Sequence, residues 1–332
     1  MSGEFELIKK LASGWSSGPE AAIGPGDDAS AVAFSTDQET LLLQTTDLLI
    51  EGIHFQKGWG CPFQLGWKSL AVNLSDIAAM GGKPLHTHLS LAIPSHWSEA
   101  EILELRDGFK ACAERFQIRL LGGDLSRSKD SLMIAGMADG IVPSDQVIRR
   151  GGAKPGDVVW VSGPLGGASA GLQLLKEGTS DDQFKDLYEA FLEPQPEVEL
   201  GMLCASSGLV NALIDLSDGL AGDLGHIMEA SKAGAILEEA KIPFPELLRE
   251  TAAEKSWDLL DLILRGGEDY RLLGCTPQAR FDRFRRLVEE TLGTSVIAVG
   301  LISAQPGLRL KRRDGGEEAI SPTAHDHFSD IK

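Results

Sequence analysis

The chain has 332 residues, 42% of them hydrophobic, and a formal net charge of −18 at pH 7, which is enough length for two domains with a core each. That charge sets the field of the molecule against nucleic acid and anionic lipid, so neither is an expected partner. There is no apolar run of about 18 residues to span a membrane, and Cys61, Cys112, Cys204 and Cys275 lie far apart without a CxxC pair, which predicts reduced, mostly buried thiols rather than disulfides or zinc ligands.

The N-terminus, MSGEFELIKKLAS, reads as a short amphipathic helix through Phe5, Ile8 and Leu11 rather than a secretory signal, and a cytoplasmic location is expected by default. Strand-like AVAF and TLLLQTTD follow, then a helix containing Asp76, strand-like HTHLSLAIP and a long helix from Ser98. Ser98 and Glu101 form a capping box, and Ile102, Leu105, Phe109, Cys112 and Phe116 recur at spacings of three and four. Strand-like IRLLGG and SLMIAGMADGIV complete an α+β unit over residues 1–150. RRGGAKPGD marks a boundary, and from 151 to 332 strands (VVWVSG, ALIDLS, AILE, YRLLGC, SVIAVGLI) alternate with helices, the pattern of an α/β layer domain. The tail after Lys311 reads as polar.

In VNLSDIAAMGG, Leu70, Leu74 and Ile77 share one face of the predicted helix, and Ser69, Asn73 and Asp76 the other. Gly81, Gly82 and Pro84 end it. A carboxylate in the last turn opposes the helix macrodipole, a cost of a few tenths of a kcal/mol unless a cation lies nearby. Asp76 is either a solvated helix-end aspartate or a ligand.

Other acidic residues stand at the edges of apolar elements, most beside glycine: Asp27 and Asp28 after IGPG, Asp47 after LLLQTT, Asp124 after LLGG, Asp215 and Asp218 around a serine in IDLSDGL, and Glu268 and Asp269 after RGG. Any one of them is ordinary turn chemistry. Their recurrence points to hard oxygen ligands for Mg²⁺. GxxxxGK[ST], HRD with a downstream DFG, and HExxH are absent. SGPLGGASAG could cradle a phosphate on backbone amides or be a plain strand-to-helix turn. His54 alone is as readily structural as functional.

GEFELI, GPGDDAS, TTDLLIEGIHF, KSLAVNLSDIAAMGGKP, LLGGD, RRGGAKPGD, IDLSDGLAGDLGHI and GGEDY, in order along nearly the whole chain, resemble the thiamine-monophosphate kinase family of the aminoimidazole ribonucleotide synthetase superfamily. The resemblance implies ATP-dependent phosphorylation of thiamine monophosphate to thiamine diphosphate. It also implies a homodimer whose N-terminal α+β domains pair their sheets, with ATP and several Mg²⁺ ions between that domain and the C-terminal α/β domain. Asp28, Thr45, Thr46, Asp47, Asp76, Asp124, Asp215 and Asp218 would be metal-site positions. Gly123, Asp124, Arg150 and Ser217 would contact ATP, and His54 and Glu268 the thiamine phosphate. Leu125 stands where the family usually has threonine, and His325 where an aromatic residue packs on substrate.

The chemistry agrees with that expectation. Two polyanions can meet inside so acidic a protein only if cations neutralise them. A phosphate acceptor whose second pKa is about 6 is already ionised at pH 7 and needs no general base. The rival readings are another synthetase of the superfamily, for which the N- or C-terminal cysteine of the selenophosphate or hydrogenase-maturation type is lacking, and a non-catalytic Mg²⁺-nucleotide sensor.

Overall fold

The computed structural model describes residues 21–23, 27–33 and 39–322. The expected N-terminal helix and His325 lie outside them. The first of two sheets runs in the order β1 (Ala21–Ile23), β2 (Ser30–Ala33), β3 (Thr40–Ile50), β6 (Met133–Pro143), β4 (Lys83–Ile93), β5 (Arg119–Arg127). Its pairs are antiparallel except β4 with β5. Period-2 alternation sets the faces of β3. Leu41, Leu43 and Leu49 are buried toward the helices, while Leu48 on the opposite face is 49% exposed.

Helix α1 (Pro62–Ala79) lies on that sheet and also packs against α2 (Glu99–Arg115). Proline at its first turn costs no hydrogen bond there. The amides of Gly81 and Gly82 bond back to the carbonyls of Ala78 and Ile77 and close its end. The two helices touch through glycines: a Cβ on Gly66 would lie 1.8 Å from the Leu105 carbonyl oxygen, and one on Gly108 1.7 Å from that of Phe63. Ser98 and Glu101 form the expected capping box on α2.

The amphipathic reading of α1 is corrected in one respect. Ser69 and Asn73 are as buried as Leu70, Leu74 and Ile77, because they lie against Gly136 of β6, where a Cβ would come 2.6 Å from both Asn73 Nδ2 and the Ser69 carbonyl oxygen, while other parts of the helix pack on α5 (Val198–Ser207) and β8 (Ala212–Asp215) of the second half. A helix enclosed on both sides loses the polar face that a surface helix keeps.

The second sheet runs β13 (Glu317–Ile320), β12 (Leu308–Lys311), β9 (Gly234–Glu238), β11 (Ile297–Ser303), β7 (Asp157–Val161), β10 (Leu272–Pro277), β8. All pairs are antiparallel except β12 with β9. Helices α3 (Gly167–Lys176), α4 (Lys185–Leu192), α6 (Leu220–Ser231), α7 (Glu246–Lys255), α8 (Leu259–Leu264) and α9 (Gln278–Leu292) alternate with these strands. The hairpin β12–β13 is absent from the sequence reading. Each strand has four residues and β13 is largely exposed, so only Leu308 and Leu310 enter the core and no alternation stands out. One apolar core joins the halves, with Leu70, Leu74 and Ile77 of α1 in the same cluster as Trp160, Leu213 and Phe284. Cys112, Cys204 and Cys275 are buried free thiols, while Cys61 is exposed.

Candidate active site

The predicted acidic residues converge where β3, the end of α1 and the end of β8 meet. Asp28, Asp76 and Asp215 each offer a carboxylate oxygen, and these atoms all lie within 4.8 Å of one another. Thr45 donates its hydroxyl to Asp76 Oδ2 at 2.5 Å, and Ser75 donates to Asp215 Oδ2 at 2.7 Å. Arg150 holds Asp28 with both arms, Nη2 2.8 Å from Oδ1 and Nε 3.1 Å from Oδ2, while its backbone amide donates to Asp27 at 3.1 Å.

One arginine does not balance this much negative charge. Burial, then Asp47, Asp215 and Asp28, push the Asp76 pKa well above the usual carboxylate range. Burial and Asp28 do the same to Asp215, against the opposing hydrogen bond from Ser75. Burial and Glu268 raise Asp47 to about 6, and burial and Asp28 raise Asp27 to about 6. Burial by itself lowers the Arg150 pKa, but Asp28 outweighs it and the guanidinium stays charged. Buried carboxylates that repel one another are stabilised in their ionised form by a nearby cation. An all-oxygen donor set of this kind fits Mg²⁺.

A cleft of about 400 Å³ opens beside this cluster, lined among others by Asp47, His54, Ser217, Asp218, Glu268 and Tyr270. The GGEDY segment is laid against DLSD by paired backbone bonds, Glu268 N to Ser217 O and Tyr270 N to Leu216 O, both 2.8 Å. The His54 ring folds back on its own turn, Nδ1 accepting from the Ile50 amide at 3.1 Å, so its neutral tautomer carries the proton on Nε2. Asp269 does not face the cleft as a ligand. It accepts from the amides of Gly166 and Ala168 at 2.7 and 3.3 Å, which decides the reading of SGPLGGASAG: the amides that could cradle a phosphate already hold a carboxylate.

Three expected positions stand apart. Thr46 points to the other face of β3 and donates to the Gly136 carbonyl at 2.8 Å. Gly123 and Asp124 lie on edge strand β5, whose nine residues are all exposed. Gly123 is in the row Asp47, Gly136, Leu89, Gly123, so three strand spacings of about 4.8 Å put it roughly 14 Å from Asp47. Asp124 occupies the next row.

Sequence reading also passed over several residues. Asp223 and His226, one turn apart on α6, join Asp218 in a second group of three within 4.8 Å, and Asp223 accepts from the Asp218 amide at 3.1 Å. Burial and Asp218 raise the Asp223 pKa well above its usual range. Their signal was the i, i+3 spacing in GDLGHI. Lys68 is 3% exposed, with Nζ 2.5 Å from Glu268 Oε2. Burial lowers its pKa while the Glu268 charge works against that.

The AIR synthase related protein N-terminal domain matches residues 26–142, and the corresponding C-terminal domain matches residues 154–312. The thiamine-monophosphate kinase of Bacillus subtilis is 35% identical over 284 residues, 84% of this chain and 85% of that protein. The Escherichia coli enzyme of the same name is 34% identical over 332 residues, 98% of each. The chain belongs to the thiamine-monophosphate kinase family. Among solved structures of the family, AaThiL complexed with AMPPCP and TMP superposes with a TM-score of 0.85 at 29% identity, covering 98% of this chain and 97% of that one. The Stenotrophomonas maltophilia thiamine-monophosphate kinase superposes with a TM-score of 0.77 at 35% identity, covering 96% and 98%. Membership of this kinase family accounts for a full-length match in both halves, in the order that the acidic motifs require.

Proposed function

We propose that the chain transfers the γ-phosphoryl group of ATP directly to the phosphate of thiamine monophosphate, giving thiamine diphosphate and ADP. The observation that carries this reading is the convergence of Asp28, Asp76 and Asp215 to within 4.8 Å at a cleft edged by Asp47 and Asp218. Asp28, Asp47, Asp76, Asp215 and Asp218 are the residues that would hold Mg²⁺, with Thr45 steering Asp76 and Ser75 steering Asp215. When bound, Mg²⁺ supplies the positive charge that lets two polyanions approach and that stabilises the transferring group.

The chain's own residues position the reactants. A phosphate oxygen of the acceptor bonds to the γ-phosphorus as the bond to the β–γ bridging oxygen breaks. That acceptor is ionised at pH 7, so no side chain has to take a proton from it. In this reading Arg150 and Ser217 meet the nucleotide, and His54 and Glu268 line the acceptor side of the cleft. His325, by its place in the sequence, would pack on the acceptor ring.

We propose further that the working form is a cytoplasmic homodimer. Residues 1–150 pair their sheets in it and residues 151–332 close the cleft. Leu120, Leu121 and Leu125 on edge strand β5 are 55%, 58% and 69% exposed, uncovered apolar side chains of the kind that mark an interface. A second copy laid there would bring its own Gly123 and Asp124 toward the nucleotide, the two expected positions that stand apart within one chain. Among the described residues no helix is long and apolar enough to cross a membrane.

Turnover with ATP and Mg²⁺ tests the reaction, with thiamine monophosphate and free thiamine as alternative acceptors. The expected result is ADP release with the monophosphate only, since an alcohol acceptor needs a general base. Comparable rates with free thiamine would overturn direct transfer to a phosphate, and no turnover with either would favour a nucleotide sensor.

A further inference from the structure

Lys68 and Glu268 together form a wall between two cavities. On one side is the acidic cleft, which Glu268 lines. On the other is a smaller cavity of about 230 Å³ lined by Lys68 and by the rings of Phe55, Trp59, Trp97 and Phe191. Lys68 comes from α1, in the first half of the chain, and Glu268 from the segment before β10 in the second.

The ammonium group of Lys68 is held at three points. It lies 2.5 Å from Glu268 Oε2, donates to the Phe191 carbonyl at 2.9 Å, and sits 3.4 Å from the centre of the Phe191 ring. Glu268 is constrained from its own side, with φ at +73° and its amide bonded to Ser217 O. A non-glycine residue holds that backbone conformation only where its surroundings impose it. Without a cation, the Glu268 carboxylate would stand against the charge of Asp47, the neighbour whose ionisation it already opposes.

With Lys68 against it, Glu268 is not among the carboxylates that would hold Mg²⁺, and a carboxylate without a metal repels the phosphate end of the acceptor. It suits instead the N–H donors of the aminopyrimidine ring. We propose that Lys68 is a positioning residue for Glu268: it anchors one carboxylate oxygen and leaves the other to accept a hydrogen bond from the aminopyrimidine of the acceptor. This rests on the reading of the acceptor as thiamine monophosphate. Lys68 itself touches neither the transferring phosphoryl group nor the nucleotide.

The test is a double-mutant cycle in the full-length chain with Lys68→Met, Glu268→Gln and the double variant, following KM for thiamine monophosphate, KM for ATP and the melting temperature. Lys68→Met is expected to raise KM for thiamine monophosphate about tenfold or more and to leave KM for ATP within about twofold. In the Glu268→Gln background the same change should alter KM for thiamine monophosphate by less than about twofold, because its target is already gone. The double variant buries no unpaired charge, so it remains measurable if Lys68→Met alone folds poorly. Effects that multiply in the double variant, or a parallel rise in both KM values, would show a general structural role and overturn the proposal. Normal wild-type turnover with unchanged KM in Lys68→Met would overturn it while leaving the assigned reaction standing. A wild-type chain that does not turn over thiamine monophosphate would overturn both.

Discussion

Ser75, on helix α1, donates its hydroxyl to Asp215 at the end of β8 across 2.7 Å and 140 residues of sequence. That bond ties the two halves of the chain at the acidic cluster and places Asp76, the next residue, in the same group of carboxylates. The end of α1 is therefore both a packing element and one wall of the site. Removing an acid there is expected to affect stability and chemistry in opposite directions.

Asp76→Asn should raise the melting temperature of the metal-free protein while reducing turnover on the order of 10²-fold or more. The change removes one of several repelling buried charges and an acid from a helix C-terminus. About 1 kcal/mol of relief corresponds to a rise of about 2 °C or more for a chain of this size. Melts in EDTA and in MgATP, with turnover measured in parallel, check both halves. A solvated, non-ligand Asp76 would leave turnover and the MgATP-induced shift unchanged.

The metal-free protein should lose stability as pH rises from about 5 to 8. Burial raises Asp27, Asp47 and Asp269 to about 6 in the folded protein and pushes Asp76, Asp215 and Asp223 well above the usual carboxylate range. For a carboxyl group whose folded pKa is raised, the stabilising contribution is fully present below its unfolded pKa and is lost as pH passes through the folded value. Saturating Mg²⁺ opposes the loss, because it binds the ionised carboxylates of the folded state. Thermal melts at pH 5, 6, 7 and 8, each with EDTA or Mg²⁺, measure the effect. A metal-free melting temperature that climbs across this range would contradict it.

Gly267→Ala should disturb the acceptor side of the cleft through the backbone. An added Cβ would lie 2.0 Å from the Ser217 carbonyl oxygen, so the Glu268 loop has to move away from the DLSD segment. Overpacking of this kind costs about 1–3 kcal/mol. The expected outcome is a lower melting temperature and a KM for thiamine monophosphate raised more than that for ATP. An unchanged melt and unchanged kinetics would mean that the loop shifts freely and its register is not critical.

Leu125→Asp should convert a dimer to a monomer and abolish turnover. Leu125 is 69% exposed on the edge strand that carries Asp124, and a buried, unpaired charge at an interface is strongly unfavourable. Sedimentation velocity of wild type and variant gives the answer. A monomeric, active wild type would refute the assembly and the sharing of Asp124.

Much of this protein was legible in its sequence because the determinants are local. Period-2 runs such as TLLLQTTD, the Ser98 and Glu101 capping box, and the glycines after Ala79 specify elements through neighbours a few residues away, and the structure contains them. The recurrence of aspartate at element ends points to hard oxygen ligands, and the resemblance carried by the motif order implies the kinase activity.

Other features depend on which distant surfaces meet, and no local period encodes that. Ser69 and Asn73 read as a polar face, yet they are buried because they pack against Gly136 of β6 in the sheet beneath the helix. Asp269 read as a site residue, yet packing aims it at the start of α3. Lys68 carried no signal in KSLAVNLSD, because its partner lies 200 positions further on. Asp124, equal in sequence to the other aspartates, is separated from them by three strand spacings. The sequence by itself determined the elements and the kind of chemistry. Only the tertiary structure decided which carboxylates share a site, because charge repulsion, burial and ion pairing act through space between segments whose separation along the chain says nothing of their distance.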